Sequence, residues 1–467
     1  AAGDYRLSAC SPGIDAGLST ALGGTTDYAG HARVAGAAPD MGAYEFMAEV
    51  TPECVIDTDA EVGRSPFTAV FYARHAGFDG MPDCLWTFGD GATAEGASVQ
   101  HTFANPGVYT VSLSVTNAAV VVGAVPRQIL AAPETVYVAT NGLHVAPFAT
   151  LATACTNLQE ALDLRPATVR VAAGVYTATL HGGFSLVNGS RTHLIGEDAE
   201  TTILVANPSY TRLRRTLQIM DPDSIVEGFS LKGAWHVDYT ANGDPVVAYL
   251  YMGILRKCRT IGTISTYRSA GIRLENSARI EDCVLGARFT VSNTGSAAQH
   301  VTCLSLNGNA VADRCVVSNT YASGQTSPWS VVCLNSAGAA LRNSLVTLNR
   351  RTASAYSGVV MVSGHGKVEN CTIVSNAFYS VGSGLLITNV TGASSIACRN
   401  NIAWGNILTS STGTTSDSGA TYPVYHTHSC APELAGSGNG NLAADPLLTP
   451  DNRLSGNSPC LNGGEKL

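Results

Sequence analysis

The chain has 467 residues, enough for two or three folded units or one elongated repeat array. Its formal net charge of −8 argues against a nucleic-acid partner, because phosphate binding needs a basic face. No apolar run reaches the ~18 residues of a membrane span, and 48 glycines with only 13% charged residues favour strands and tight turns over helices.

Near the start, "DYRLSACSPGIDAG" (Asp4 to Gly17) anticipates "DNRLSGNSPCLNGG" (Asp451 to Gly464). The offset is 451 − 4 = 447 residues, and seven of the fourteen positions are identical. From Cys84 to Ala118 the pattern turns to strands. Trp86, Phe88 and Asp90 alternate with Leu85, Thr87 and Gly89, and Asp90-Gly91 supplies a turn that needs positive φ. After Asn105-Pro106-Gly107, Tyr109, Val111, Leu113 and Val115 alternate with polar residues, as a sandwich strand requires. Trp86 reads as core, Asp90 as a turn residue, and His101 as a histidine bonded to backbone near that turn. Cys54 and Cys84 are placed either for a disulfide across the sandwich or to remain two thiols.

From Thr135 the periodicity changes. Leu151, Cys155, Leu158 and Leu162 fall at i, i+4, i+7 and i+11, which predicts a helix. Then one short phrase recurs around Phe229, Cys258, Cys283, Cys315, Ser344, Cys371 and Asn401, with gaps of 29, 25, 32, 29, 27 and 30 residues. Such a period with strands of four or five residues between Gly and Asn turns predicts a β-solenoid of about ten coils over residues 135–445. Coils stack about 4.8 Å apart, so equal positions form ladders. Cys258, Cys283, Cys315 and Cys371 are expected in one inward ladder of reduced thiols, and Cys303 with Cys333 in another. Asn319, Asn349, Asn376 and Asn406, four or five residues past their pivots, are expected to form an asparagine ladder at a turn. Thirteen cysteines leave at least one outside any intrachain pair, and a disulfide in the tail, Cys430 with Cys460, is expected on export.

Three resemblances follow from these residues. The run from Trp86-x-Phe88-Gly89-Asp90-Gly91 through His101 and Phe103 to Gly107-x-Tyr109-x-Val111-x-Leu113-x-Val115-x-Asn117 resembles the PKD domain, which implies an immunoglobulin-like β-sandwich over residues 48–132. The repeat and its opening ("PFATLATACTNLQEALD", "VRVAAGVYT") are similar to right-handed parallel β-helix proteins with a pectate-lyase-like fold, over residues 133–467. The closing segment resembles the tail of bacterial β-helix proteins of the choice-of-anchor Q type. The ending that this tail normally has, "DYAGHARVAGAAPDMGAYEF", stands instead within residues 1–47. An all-β chain is therefore expected: a β-helix tail, a sandwich, and a right-handed parallel β-helix, permuted as in a window on a tandem array or in subunits whose ends complete each other.

For function, the candidate carboxylates Glu227, Glu281, Asp282, Asp313 and Glu369 each stand beside a pivot, where side chains face solvent. "GHG" at Gly364 to Gly366 lacks the paired aspartates of a glycoside hydrolase site. Arg350-Arg351 and Trp235-His236 are candidate sugar contacts. No catalytic residue and no cofactor is assigned; calcium has no ligand cluster in the sequence to hold it. The expected role is an extracellular or cell-surface structural or adhesive protein of bacterial type. It would associate head-to-tail through residues 1–46, with polysaccharide or surface glycans as further partners. The alternatives are a polysaccharide lyase or hydrolase, or a carbohydrate-binding module.

Overall fold

The computed structural model describes residues 6–7, 11–19, 23–46, 52–76, 78, 81–117, 120–179, 183–207, 215–233, 247–266, 270–286, 288–291, 301–323, 329–351, 357–363, 365–378, 382–388, 396–408, 415–417 and 423–464. The chain divides into two compact units, residues 1–61, 68–103 and 109–129, and residues 62–67, 104–108 and 130–467.

Within residues 23–46 the fold is held by carboxylates rather than by an apolar core. Asp27, Asp40 and Glu45 are buried. Asp27 accepts the backbone N–H groups of His31 and Glu45, Asp40 those of Asp15 and Phe46, and Glu45 that of Asp40. Arg33 closes the set on Glu45 at 3.2 Å. Buried anions are tolerated only with such partners.

The sandwich has one sheet of Glu53–Thr58, Phe67–Ala76 and Ser98–Phe103. The facing sheet is ordered Val62–Arg64, Arg127–Ala132, Gly107–Thr116, Asp83–Thr87 and Thr93–Glu95, with Val121–Gly123 against Gly107–Thr116. The period-two alternation is realised: Trp86, Phe88, Val111, Leu113 and Val115 are buried around Phe71 and Phe103.

The second unit includes residues 62–67, whose strand Val62–Arg64 extends the sandwich sheet, but is mainly a parallel β-helix. Its largest sheet stacks eleven strands from Thr135–Val138 to His426–Thr427, two more stack nine each, and a fourth holds six. From Ile225–Glu227 to Ile396–Arg399, each coil leaves the eleven-stranded sheet through a single residue of left-handed backbone. In turn these are Gly228, Lys257, Asp282, Arg314, Asn343, Asn370 and Asn400, with φ between 48° and 79°. That one residue redirects the chain, so the next side chain points inward. Phe229, Cys258, Cys283, Cys315, Ser344, Cys371 and Asn401 are all at most 4% exposed. A second left-handed corner follows at Gly262, Asn319, Leu348, Ser375 and Gly405.

Three expectations are corrected here. The helix runs only from Leu158 to Asp163, because Asn157 caps it by accepting the N–H groups of Gln159 and Glu160. Cys155 instead bridges Val138 as a strand would, and Leu151 is exposed. Asn319 is the left-handed corner itself, so Thr320, one residue later, takes the inward ladder position. Cys303 and Cys333 do not share a column: Cys333 stands opposite Ser305 and Met361, in a small apolar cluster with Met361 and Leu386 separate from the main core.

Candidate functional site

The solvent face of the eleven-stranded sheet carries the charged column on which an enzyme reading depends. Register places Glu227, Arg256, Glu281, Asp313, Arg342, Glu369 and Arg399 on successive strands. The neighbouring corner column holds Lys257, Asp282 and Arg314. Acidic groups do lie on consecutive coils, but cations occupy them. Arg256 Nε donates to Glu227 at 2.6 Å, and Arg342 Nε to Glu369 at 3.0 Å. Arg314 donates to Asp282 at 2.8 Å, pairs with Asp313, and lies 3.6 Å from Glu281.

The electrostatics follow the pairing. The Arg314 hydrogen bond is the main cause holding Asp282 below the usual carboxylate range. Burial works to raise Glu227, yet the Arg256 bond and charge bring it below that range. A general acid needs the opposite, a carboxyl kept protonated near neutral pH. Among the described residues only Asp417 has a carboxyl shifted upward, chiefly by burial, and it lies inside the β-helix.

Among the described residues, the group of three possible metal ligands whose atoms lie within 4.8 Å of one another is His144, Cys155 and Glu160. Its hydrogen bonds oppose metal binding. The backbone N–H of Thr156 donates to His144 Nδ1 at 3.1 Å, which leaves the ring proton on Nε2, 3.4 Å from Glu160. Neither nitrogen then has a free lone pair. Burial lifts the Cys155 thiol to about 11, and its Sγ lies 3.1 Å from the Asn157 carbonyl. The trio works as a hydrogen-bonded clasp for the loop before the helix.

In the sandwich, Trp86 is fully buried and donates Nε1–H to the Gly96 carbonyl at 2.9 Å. Gly91 has φ 95°, the conformation its turn demands. His101 bonds the Asp90 carboxylate at 2.7 Å rather than backbone, and stacks on Phe88 with centroids 4.0 Å apart. Burial opposes the Asp90 charge, but the Ala92 N–H and His101 hold its pKa below the usual range. Tyr109 stacks on Phe103 at 4.7 Å. Cys54 and Cys84 are both buried thiols, and Cys54 lies 3.5 Å from the Val122 carbonyl.

Inside the β-helix the ladder cysteines Cys258, Cys283, Cys315 and Cys371 are buried thiols whose pKa burial raises strongly. Cys430 and Cys460 are thiols too, with Cys430 buried and Cys460 partly exposed. The asparagine ladder runs in one direction. Thr320 donates to Asn349, Asn349 to Asn376 at 2.9 Å, Asn376 to Asn406 at 2.8 Å, and Asn406 to Asp417 at 2.7 Å. A second, exposed ladder runs from Asn400 through Asn370 and Asn343 to Asp313. Sequence reasoning missed that ladder, although Asn at the residue before three successive pivots was its signal. Asp417 carried no such signal, being close in space rather than in repeat phase. Arg350 is exposed and Arg351 is 3% exposed, so the two do not share a surface. Trp235-His236 and Gly364 lie outside the described residues.

Residues 50–125 match the PKD domain family model. Among solved structures, pectin methylesterase from carrot is similar over 58% of this chain and 87% of its own, at 13% identity and a TM-score of 0.30. No curated protein matches the chain. No helix among the described residues is long and apolar enough to cross a membrane. The chain is thus one that carries a PKD domain, at residues 50–125, together with a parallel β-helix.

Proposed function

We propose that this protein is an extracellular structural scaffold of the bacterial surface, whose units join head-to-tail through residues 1–46. One observation carries the reading. The part of the repeated phrase described in both places, residues 11–17 and 458–464, adopts one conformation. Ser11 Oγ accepts the N–H of Gly13 at 3.2 Å, and Ser458 Oγ that of Cys460 at 3.1 Å. Ile14 N–H donates to Ser11 O, and Leu461 N–H to Ser458 O, each at 3.2 Å. Asp15 and Asn462 both have left-handed backbone, at φ 52° and 59°.

The second copy of this turn belongs to the end of the β-helix. Cys430 bridges both Ile402 and Leu442, and Gly463 and Gly464 approach Leu442 and Asn400. A turn of the same shape at residues 11–17 suits an adjoining place on another β-helix end, because residues 458–464 of that unit fill their own. Around it Leu18, Tyr28 and Met41 are 70%, 79% and 58% exposed, apolar surface suited to that contact. Head-to-tail contact of this kind is heterologous, so repetition gives an open fibre unless its rotation closes a ring. Engagement of the column carboxylates by arginines favours this scaffold reading over catalysis.

Deleting residues 1–46 tests the assembly. Sedimentation should find end-to-end oligomers of the full chain and folded monomers of the deletion. Equal oligomers from both, or a compact monomer from the full chain at every concentration, would reject it.

A further inference from the structure

The chain has fewer cations than anions, 27 Lys and Arg against 35 Asp and Glu, yet three arginines meet in one place. Arg64, Arg165 and Arg191 line a cleft of about 430 Å³ together with Asp163, Gly189 and Ser190, all residues of the second unit. Arg64 is held there by strand pairing, opposite Ala132, whose carbonyl also accepts the Ser65 N–H at 2.9 Å.

The local carboxylates keep their charge but are also hydrogen-bonded by neutral donors. Asp163 accepts from Gln159 Nε2 at 2.8 Å, and buried Asp221 takes the N–H groups of Gly189 and Arg191. The guanidinium groups are not matched in the same way. Among the described residues Arg64 and Arg165 make no ion pair, and Arg191 pairs with Asp223 alone, at 3.4 Å between side chains 73% and 61% exposed. A pair so exposed is screened and weak.

Backbone conformation adds a second observation. Arg165 and Arg191 hold left-handed φ, 51° and 48°, where, among the described residues, eight of the twenty non-glycine residues of positive φ are asparagine. Arg314, the other arginine with such a backbone, has three carboxylates around it. Arg165 has the same conformation with no carboxylate within 4.0 Å of its guanidinium among the described residues.

We propose that the cleft bounded by Arg64, Arg165 and Arg191 binds an oxyanion, a carboxylate or sulfate group carried on a glycan. Guanidinium forks match both groups through paired N–H bonds. The volume suits one saccharide unit, within the ~300–1,000 Å³ of small-ligand sites. The glycan as source rests on the extracellular reading above; the site itself is independent of head-to-tail assembly.

Titration calorimetry of the full chain per protomer, with alginate (carboxylate), dextran sulfate (sulfate) and neutral dextran, tests this. Binding of either charged polymer and not of dextran is expected, and which polymer binds names the group. Arg64→Gln with Arg165→Gln and Arg191→Gln should weaken binding at least ~10-fold. The charge-matched control, Arg74→Gln with Arg127→Gln and Arg453→Gln, should change it less than about threefold. Equal loss in the control, no loss in the cleft variant, or no binding by the parent protein would overturn the proposal. Should the triple variant melt early, Arg165→Gln alone, with an unchanged melting curve, reads the same answer.

Discussion

Two stacks of polar side chains run along the same β-helix, and they differ in what they do for it. The amide ladder Asn349–Asn376–Asn406 is buried, and each amide both donates and accepts along the coil axis. The charged column around Arg256, Arg314 and Arg342 has the same coil spacing but faces water, with those side chains 33%, 49% and 42% exposed. Burial, rather than spacing or formal charge, decides the energetic weight. A buried amide that loses its partner has no water to replace it, whereas an exposed ion pair exchanges one partner for solvent at small net cost.

The largest expected effect is therefore inside. Asn376→Ala removes the acceptor of both the side chain and the backbone N–H of Asn349 and frees the Val346 and Val374 carbonyls. It should cost about 3 kcal/mol in chemical denaturation. A change below that of a surface mutation would mean the ladder is ornamental.

Cysteine chemistry sharpens the same contrast. Thiols of the inward ladder should resist alkylation in the native protein and react only on unfolding, because burial both hides them and suppresses the thiolate. Partly exposed Cys460 should react first, or be found in a disulfide with Cys430 after oxidation by a disulfide exchange reagent. At least six free thiols should remain under denaturing, non-reducing conditions; one or none would show that the ladder had been misread.

Acid titration separates the two kinds of carboxylate by sign. Asp417, raised by burial, lends stability that is fully present below its unfolded pKa and lost as pH rises through its folded pKa. Asp90, held low, does the reverse, and its contribution disappears as pH falls through its folded pKa. Asp417→Asn should abolish the first dependence and leave the second. The smallest effect belongs to the outer column: Arg342→Gln should change stability by no more than about 1 kcal/mol, and less at high salt.

Much of this architecture was readable from the sequence because repeats report themselves. The pivot residues, the sandwich alternation and the inward cysteines follow from period alone. What escaped depended on one-residue backbone choices. Asn319 sits four residues past its pivot and Asn349, Asn376 and Asn406 five, and that difference exchanges the corner for the ladder position. A helical period alone carries the helix back to Leu151 and Cys155, whereas the Asn157 cap starts it at Leu158. Arg64 and Arg165 lie 101 residues apart (165 − 64) and converge only in three dimensions.

The central claim is that residues 11–17 form a β-helix-end turn equivalent to residues 458–464, able to take that seat wherever it stands open. Gly13 corresponds to Cys460 at the 447-residue offset, and Cys460 lies beside Cys430, whose thiol pKa is pushed up by burial and then by Cys460. In a chain shortened by residues 448–467 and carrying Gly13→Cys, mild oxidation should link the introduced thiol of one molecule to Cys430 of the next. Peptide mapping of the covalent oligomers would identify that bond. Only monomers, or links to any other cysteine, would contradict the account.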